Sequence, residues 1–178
     1  MLVRLYSLPE IGAELKKLNS SGLEIRRALT PEKRLVTCWI EQNFTAGWAD
    51  ESTATFSRLP VSCFVAVKNG RTEVPECVDS ARPKPTELGC LGRLAGFACY
   101  DAACRGFFGP IGVSEELRGT GVGKALLLAC LNAMRELGYG YAIIGWANTP
   151  EFFARTVGAT VIEGSDPGIY RGMLKKQQ

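Results

Sequence analysis

One stretch constrains this chain more than any other: Val113-Ser114-Glu115-Glu116-Leu117-Arg118-Gly119-Thr120-Gly121-Val122-Gly123-Lys124-Ala125-Leu126. It reads as a strand end, a short turn and a glycine-rich loop opening directly into a long apolar helix. Gly119, Gly121 and Gly123 open φ values closed to other residues, so several N–H groups can turn toward one point. Those groups lie at the positive end of the helix dipole, which suits a phosphate or diphosphate. The chain must therefore place a strand, this loop and a buried helix in immediate succession.

Spacing separates the phosphate-binding motifs. A nucleotide P-loop would need glycine where Arg118 stands and a hydroxyl where Ala125 stands. A dinucleotide fingerprint starting at Gly119 would need glycine at Lys124. The pattern that fits is R-x-x-G-x-G: Arg118, Gly121 and Gly123, with Val113 ending a strand five residues before the arginine. This resembles the acyl-CoA-binding motif of the GNAT (N-acetyltransferase) superfamily.

The flanks follow the order that the resemblance implies. From Gly121 to Leu137 an apolar set at Val122, Leu126, Cys130, Met134 and Leu137 marks a helix, and Gly138 stops it. Tyr139 to Trp146 is a β-rich apolar run suited to a buried strand. Thr149-Pro150 starts a short helix that Gly158 ends, and 159–163 with 168–174 read as a closing pair of strands. Upstream, 1–6 is expected as a strand, about 9–18 as a helix, and Leu23 to Ala28 as a half-buried strand. Thr30-Pro31 opens a helix with Leu35, Val36, Trp39, Ile40 and Phe44 on one face; Gly47 breaks it, and 48–56 is a second helical piece or loop. Val61 to Val67, Leu94 to Tyr100 and Gly106 to Val113 complete the strands.

The resemblance, specific over about 97–174, implies an α/β (α+β) fold: a mixed, mostly antiparallel sheet flanked by helices, with a splayed strand pair at the acyl-CoA site. Residues 1–22 form an N-terminal strand and helix extension, and 23–178 the acetyltransferase domain with an insertion at 69–93.

Composition narrows the partners. The 178 residues are 46% hydrophobic, enough for one domain with a sizeable core. A net charge of +3, scattered rather than clustered, argues against nucleic acid. No apolar run reaches the ~20 residues of a membrane span, and the start lacks a signal-peptide pattern, so the expectation is cytoplasmic. Seven cysteines without a C-x-x-C, and no histidine, offer no zinc site and no metal is expected. Most of these cysteines read as small buried residues, while Cys77 and Cys90 share a segment where a disulfide could form. A homodimer is the default oligomer.

The resemblance implies acetyl-CoA as co-substrate and a small primary amine as acceptor, joined by direct attack. Carried over, the main chains of Ile111 and Val113, with Gly112 between them, would meet the pantetheine arm. The loop from Arg118 through Gly119, Thr120, Gly121, Val122, Gly123 and Lys124 would hold the diphosphate, and Asn148 would contact the arm. A backbone N–H near Ile111 would stabilise charge on the thioester oxygen, a donor whose loss typically costs ~3 kcal/mol. The strand before the loop, 106–113, carries no acid, although many relatives place a glutamate there. Glu51, then Glu41, are the candidate bases, because the region 31–56 walls the acceptor pocket in this fold. Trp39, Phe44, Trp48, Phe107 and Phe108 suggest that the pocket is partly apolar. Phe153 or Ala154 stands where relatives carry a proton-donating tyrosine, which leaves Tyr170 as the alternative. These departures keep a non-catalytic acyl-CoA sensor of the same fold as the competing reading.

Overall fold

The computed structural model describes residues 1–70 and 92–174. In chain order the elements are β1 (Leu2–Arg4), α1 (Gly12–Ser20), β2 (Leu23–Arg27), α2 (Lys33–Asn43), α3 (Ala46–Thr55), β3 (Cys63–Lys68) and β4 (Arg93–Tyr100), then β5 (Phe107–Val113), α4 (Val122–Glu136), β6 (Tyr141–Ile144) and α5 (Pro150–Val157). Six strands form one sheet in the order β1-β6-β5-β4-β3-β2. All neighbours are antiparallel except β5 and β6. This is the mixed sheet with flanking helices expected from the sequence.

β4 shows why the sheet sits at the centre. Leu94 to Tyr100 are all buried, and alternate side chains enter two different clusters. Ala95, Ala98 and Tyr100 join α4, Leu18 of α1 and Phe153 and Val157 of α5. Leu94, Phe97 and Cys99 join Val36, Trp39 and Ile40 of α2 on the opposite face. α4 buries nine residues, including every leucine from Leu126 to Leu131, as its broad apolar surface requires. The thiols of Cys63, Cys99 and Cys130 are free and buried, Cys104 is exposed, and Cys38 is disulfide-bonded. The Cys77–Cys90 pair and most of the 69–93 insertion lie outside the described residues.

Three local expectations change. The closing strands do not form: 159–163 contributes only the bridge Leu2↔Thr160, and Gly168–Tyr170 is a 3-10 turn. The reason is competition for an edge, since β1 pairs with β6 through Leu2↔Ile143, Val3↔Ala142 and Arg4↔Tyr141. Positive φ at Gly164, Gly168 and Gly172 also breaks any extended run there. Gly47 does not end a helix; it lies in the first turn of α3, where Thr45 caps by accepting from the Trp48 N–H at 3.2 Å. β6 is shorter than the apolar run from Tyr139 to Trp146, because Trp146 turns to φ 47.

Candidate functional site

The site begins where β5 and β6 part. They pair only through Phe107↔Ile143 and Phe108↔Ile144. Against β4, Tyr100 faces Phe108 and Ala98 faces Ile111, so Gly109 and Pro110 together oppose Cys99. That extra residue is a β-bulge; Gly109 takes φ 123, and Pro110 has no N–H to offer a ladder. Beyond it β6 ends at Ile144, and a gap opens between Ile111–Val113 and 145–148.

Hydrogen-bond alternation assigns the groups lining this gap. The Ser114 N–H donates to the Ala95 carbonyl at 2.9 Å, so residues 112 and 114 address β4. The main-chain groups of Ile111 and Val113 therefore face away from β4, into the gap. Gly112 is needed for a different reason. A Cβ there would stand 2.5 Å from the Phe44 ring and 2.8 Å from Phe97.

The loop after β5 points toward the same opening. A 3-10 turn at Glu115–Leu117 is closed by the Thr120 hydroxyl donating to the Leu117 carbonyl at 2.7 Å. Gly119 and Gly121 take φ 78 and 98, and Gly121 caps α4 without any side-chain bond. Among the described residues no capping acceptor meets the first-turn N–H groups of Val122, Gly123 and Lys124. A Cβ on Gly123 would lie in ordinary contact with Val113 at 3.6 Å and Phe152 at 3.9 Å, so this position packs the start of α4 against β5 and α5. Arg118 is exposed, 3.4 Å from Glu115, and Lys124 is ion-paired with Glu14 of α1. The Ser114 hydroxyl at the base of the loop is buried without a partner among the described residues. Asn148 is exposed beyond β6.

Two titratable groups converge on the other side of the gap. α3 packs on β4 and β5, and carries Glu51 half-buried; burial pushes its carboxyl above the usual range. The Gly168–Tyr170 turn brings Tyr170 back across the end of β6. Its hydroxyl lies 2.8 Å from where a Cβ on Gly145 would be, with Phe107 beside it. Burial raises the Tyr170 phenol, and the Glu51 and Cys104 charges raise it further. Trp146, exposed, tilts against Tyr170 with ring centroids 5.4 Å apart. Glu41, by contrast, is exposed on α2.

The aromatic pocket read from the sequence needs correction. Trp39 and Phe108 are core residues, Phe108 packing on Phe153. Phe44 packs against the Gly112 backbone and stacks on Trp48 with ring centroids 5.4 Å apart, so both rings are tied into the packing beneath β5. Sequence reasoning missed Glu14 altogether. No local signal marks it, because its partner lies 110 positions away.

A family profile described as the acetyltransferase (GNAT) family matches residues 34–157, well over half of the chain. No curated protein sequence is similar to it at a significant level. Among solved structures, the chain resembles a GCN5-related glucosamine N-acetyltransferase region of a fungal multi-domain GH3 β-N-acetylglucosaminidase, with 12% identity and a TM-score of 0.60. That match covers 88% of this chain and 19% of the other. A GCN5-related N-acetyltransferase from Sphaerobacter thermophilus matches at 16% identity and a TM-score of 0.51, covering 87% of this chain and 45% of the other. The chain thus spans about a fifth and under half of these two proteins, and at such identities the likeness is one of fold.

Proposed function

Because the chain belongs to the acetyltransferase (GNAT) family, we propose that it moves the acetyl group of acetyl-CoA onto a small primary amine by direct attack. The observation that carries this reading is the gap between β5 and β6, lined by main-chain groups of Ile111 and Val113 and ending at the uncapped start of α4. An extended pantetheine arm suits the first feature and a diphosphate the second. The co-substrate supplies an activated acyl group as a thioester; the chain positions it and manages protons.

Ile111 is the backbone donor placed to meet the thioester oxygen, where negative charge grows as the amine approaches. The acceptor must arrive unprotonated, and removing a proton from an alkylammonium of pKa ~10 at pH 7 costs about 4 kcal/mol. Glu51, with its carboxyl raised by burial, takes that proton directly or through water. The C–N bond forms as the C–S bond breaks, the acylated nitrogen releases its remaining extra proton to solvent, and the sulfur leaves as a thiolate. Tyr170 stays protonated at neutral pH and donates to that sulfur. Demand on it is modest, since a thiol of pKa ~8.5 is only ~2 kcal/mol from the free thiolate.

Calorimetry with coenzyme A and thiol release from acetyl-CoA over an amine panel test this. Amino sugars head the panel, because the fungal region is described as a glucosamine N-acetyltransferase. Micromolar binding with amine-dependent thiol release, lost in Glu51→Gln, is the expected result. Binding without release on any amine supports the sensor reading instead, and absence of binding removes both.

A further inference from the structure

The Lys124 ammonium and the uncapped start of α4 already face one anion, supplied by the chain itself. The Glu14 carboxylate of α1 is ion-paired with Lys124, and its second oxygen lies 3.7 Å from the Cβ position of Gly121. It thus lies beside Gly121, at the start of α4, whose first N–H groups no capping side chain satisfies among the described residues.

The helix that delivers Glu14 is lightly held. α1 starts at Gly12 with no side-chain cap at Ile11, and Leu18 is its one buried residue. A cavity of about 280 Å³ lies against its start, lined by Leu8, Ile11 and Gly12 on one side and by Asn132 and Arg135 of α4 on the other. Glu14 and Lys124 are themselves part-exposed, so the pair can open without unpacking a core.

We propose that Glu14 is a displaceable internal anion that competes with the incoming diphosphate for Lys124 and the start of α4. Seating the diphosphate exchanges the Glu14–Lys124 pair for a lysine–phosphate contact and frees α1 from that corner. A multiply charged diphosphate wins this exchange, whereas a monoanion such as acetate does not, so Glu14 sharpens selection for the diphosphate-bearing carrier. This rests on reading the glycine loop as a diphosphate site.

The test compares the full-length wild type with Glu14→Gln, titrating coenzyme A, inorganic pyrophosphate and pantetheine at fixed ionic strength. Removing one like charge at a part-exposed site is expected to tighten coenzyme A and pyrophosphate about tenfold and to leave pantetheine unchanged. Unchanged or weaker pyrophosphate binding by the variant overturns the proposal, because Glu14 then serves only to orient Lys124. Tighter pyrophosphate binding with no coenzyme A binding by either protein upholds Glu14 as a competitor and removes the acyl-CoA reading. No binding of either ligand by either protein overturns both. Should Glu14→Gln fail to fold, hydrogen exchange on the wild type decides: saturating pyrophosphate is expected to speed exchange across α1, and unchanged α1 protection refutes the displacement.

Discussion

β5 is flanked by two turns built on opposite principles. In the turn before it, a side chain satisfies the structure from within. Asp101 is 4% exposed at φ 54; its carboxylate accepts from the Gly106 N–H at 2.6 Å and the Tyr139 hydroxyl at 2.9 Å, and it lies 3.8 Å from Arg58. The loop after β5 does the reverse. Arg118 reaches outward, and among the described residues a buried hydroxyl goes unmet and the main-chain donors opening α4 lack a cap. Closed polar networks hold a fold, whereas open ones await something from outside.

That contrast can be broken by mutation, and the largest expected effect is at the closed end. Asp101→Ala leaves the Gly106 amide and the Tyr139 hydroxyl without their acceptor, and should cost about 3 kcal/mol of unfolding free energy. Denaturant titration measures the loss, and coenzyme A affinity of the folded fraction should stay unchanged. An equal loss of affinity would mean that the two turns are not independent.

Glu51→Gln is expected to lower kcat about a hundredfold. Wild-type kcat/KM should fall as pH drops through the raised Glu51 pKa, because a base must be unprotonated. Stability moves the other way. The folded state holds this proton more tightly than the unfolded chain, so stability falls as pH rises from the ordinary glutamate range through the raised value. Glu51→Gln should therefore melt above wild type at neutral pH, with the difference closing under acid conditions. A variant less stable than wild type at neutral pH would assign Glu51 a structural role.

At the open end the effects separate differently. Gly121→Ala forces a side chain to φ 98, costing about 1–2 kcal/mol, and should weaken coenzyme A about tenfold. Arg118→Ala is the mildest change. Its exposed pair with Glu115 adds little to stability, so melting should be unaltered while coenzyme A binding weakens severalfold and loses part of its salt dependence. A clear melting shift in Arg118→Ala would place the loop among the closed structures.

Much of this was legible in local sequence. The alternation of Leu23 to Arg27, the leucines from Leu126 to Leu131 and the glycine spacing each express a rule acting within a few residues. Of the candidate site, the glycine loop from Arg118 to Lys124 was marked by its spacing and forms the turn that opens α4, and Glu51 lies half-buried on α3. What escaped depends on distant competition. Residues 159–163 carry strand character, yet β1 takes the edge of β6 that they would have used. Thr45 captures the start of α3, so Gly47 does not break it. Neither the Glu14–Lys124 pair nor the approach of Tyr170 to Glu51 has any periodicity to read.

The narrow seam between β5 and β6 has a mechanical consequence. Among the described residues, two ladder pairs join the β1–β6 ribbon to the other four strands. A guest lying in the opening and bonding to both banks would become a temporary rung, stiffening that ribbon against the rest of the sheet. Loading and rigidity would then rise together, and slower amide exchange along β1 and β6 would report an occupied slot even where no side chain had moved.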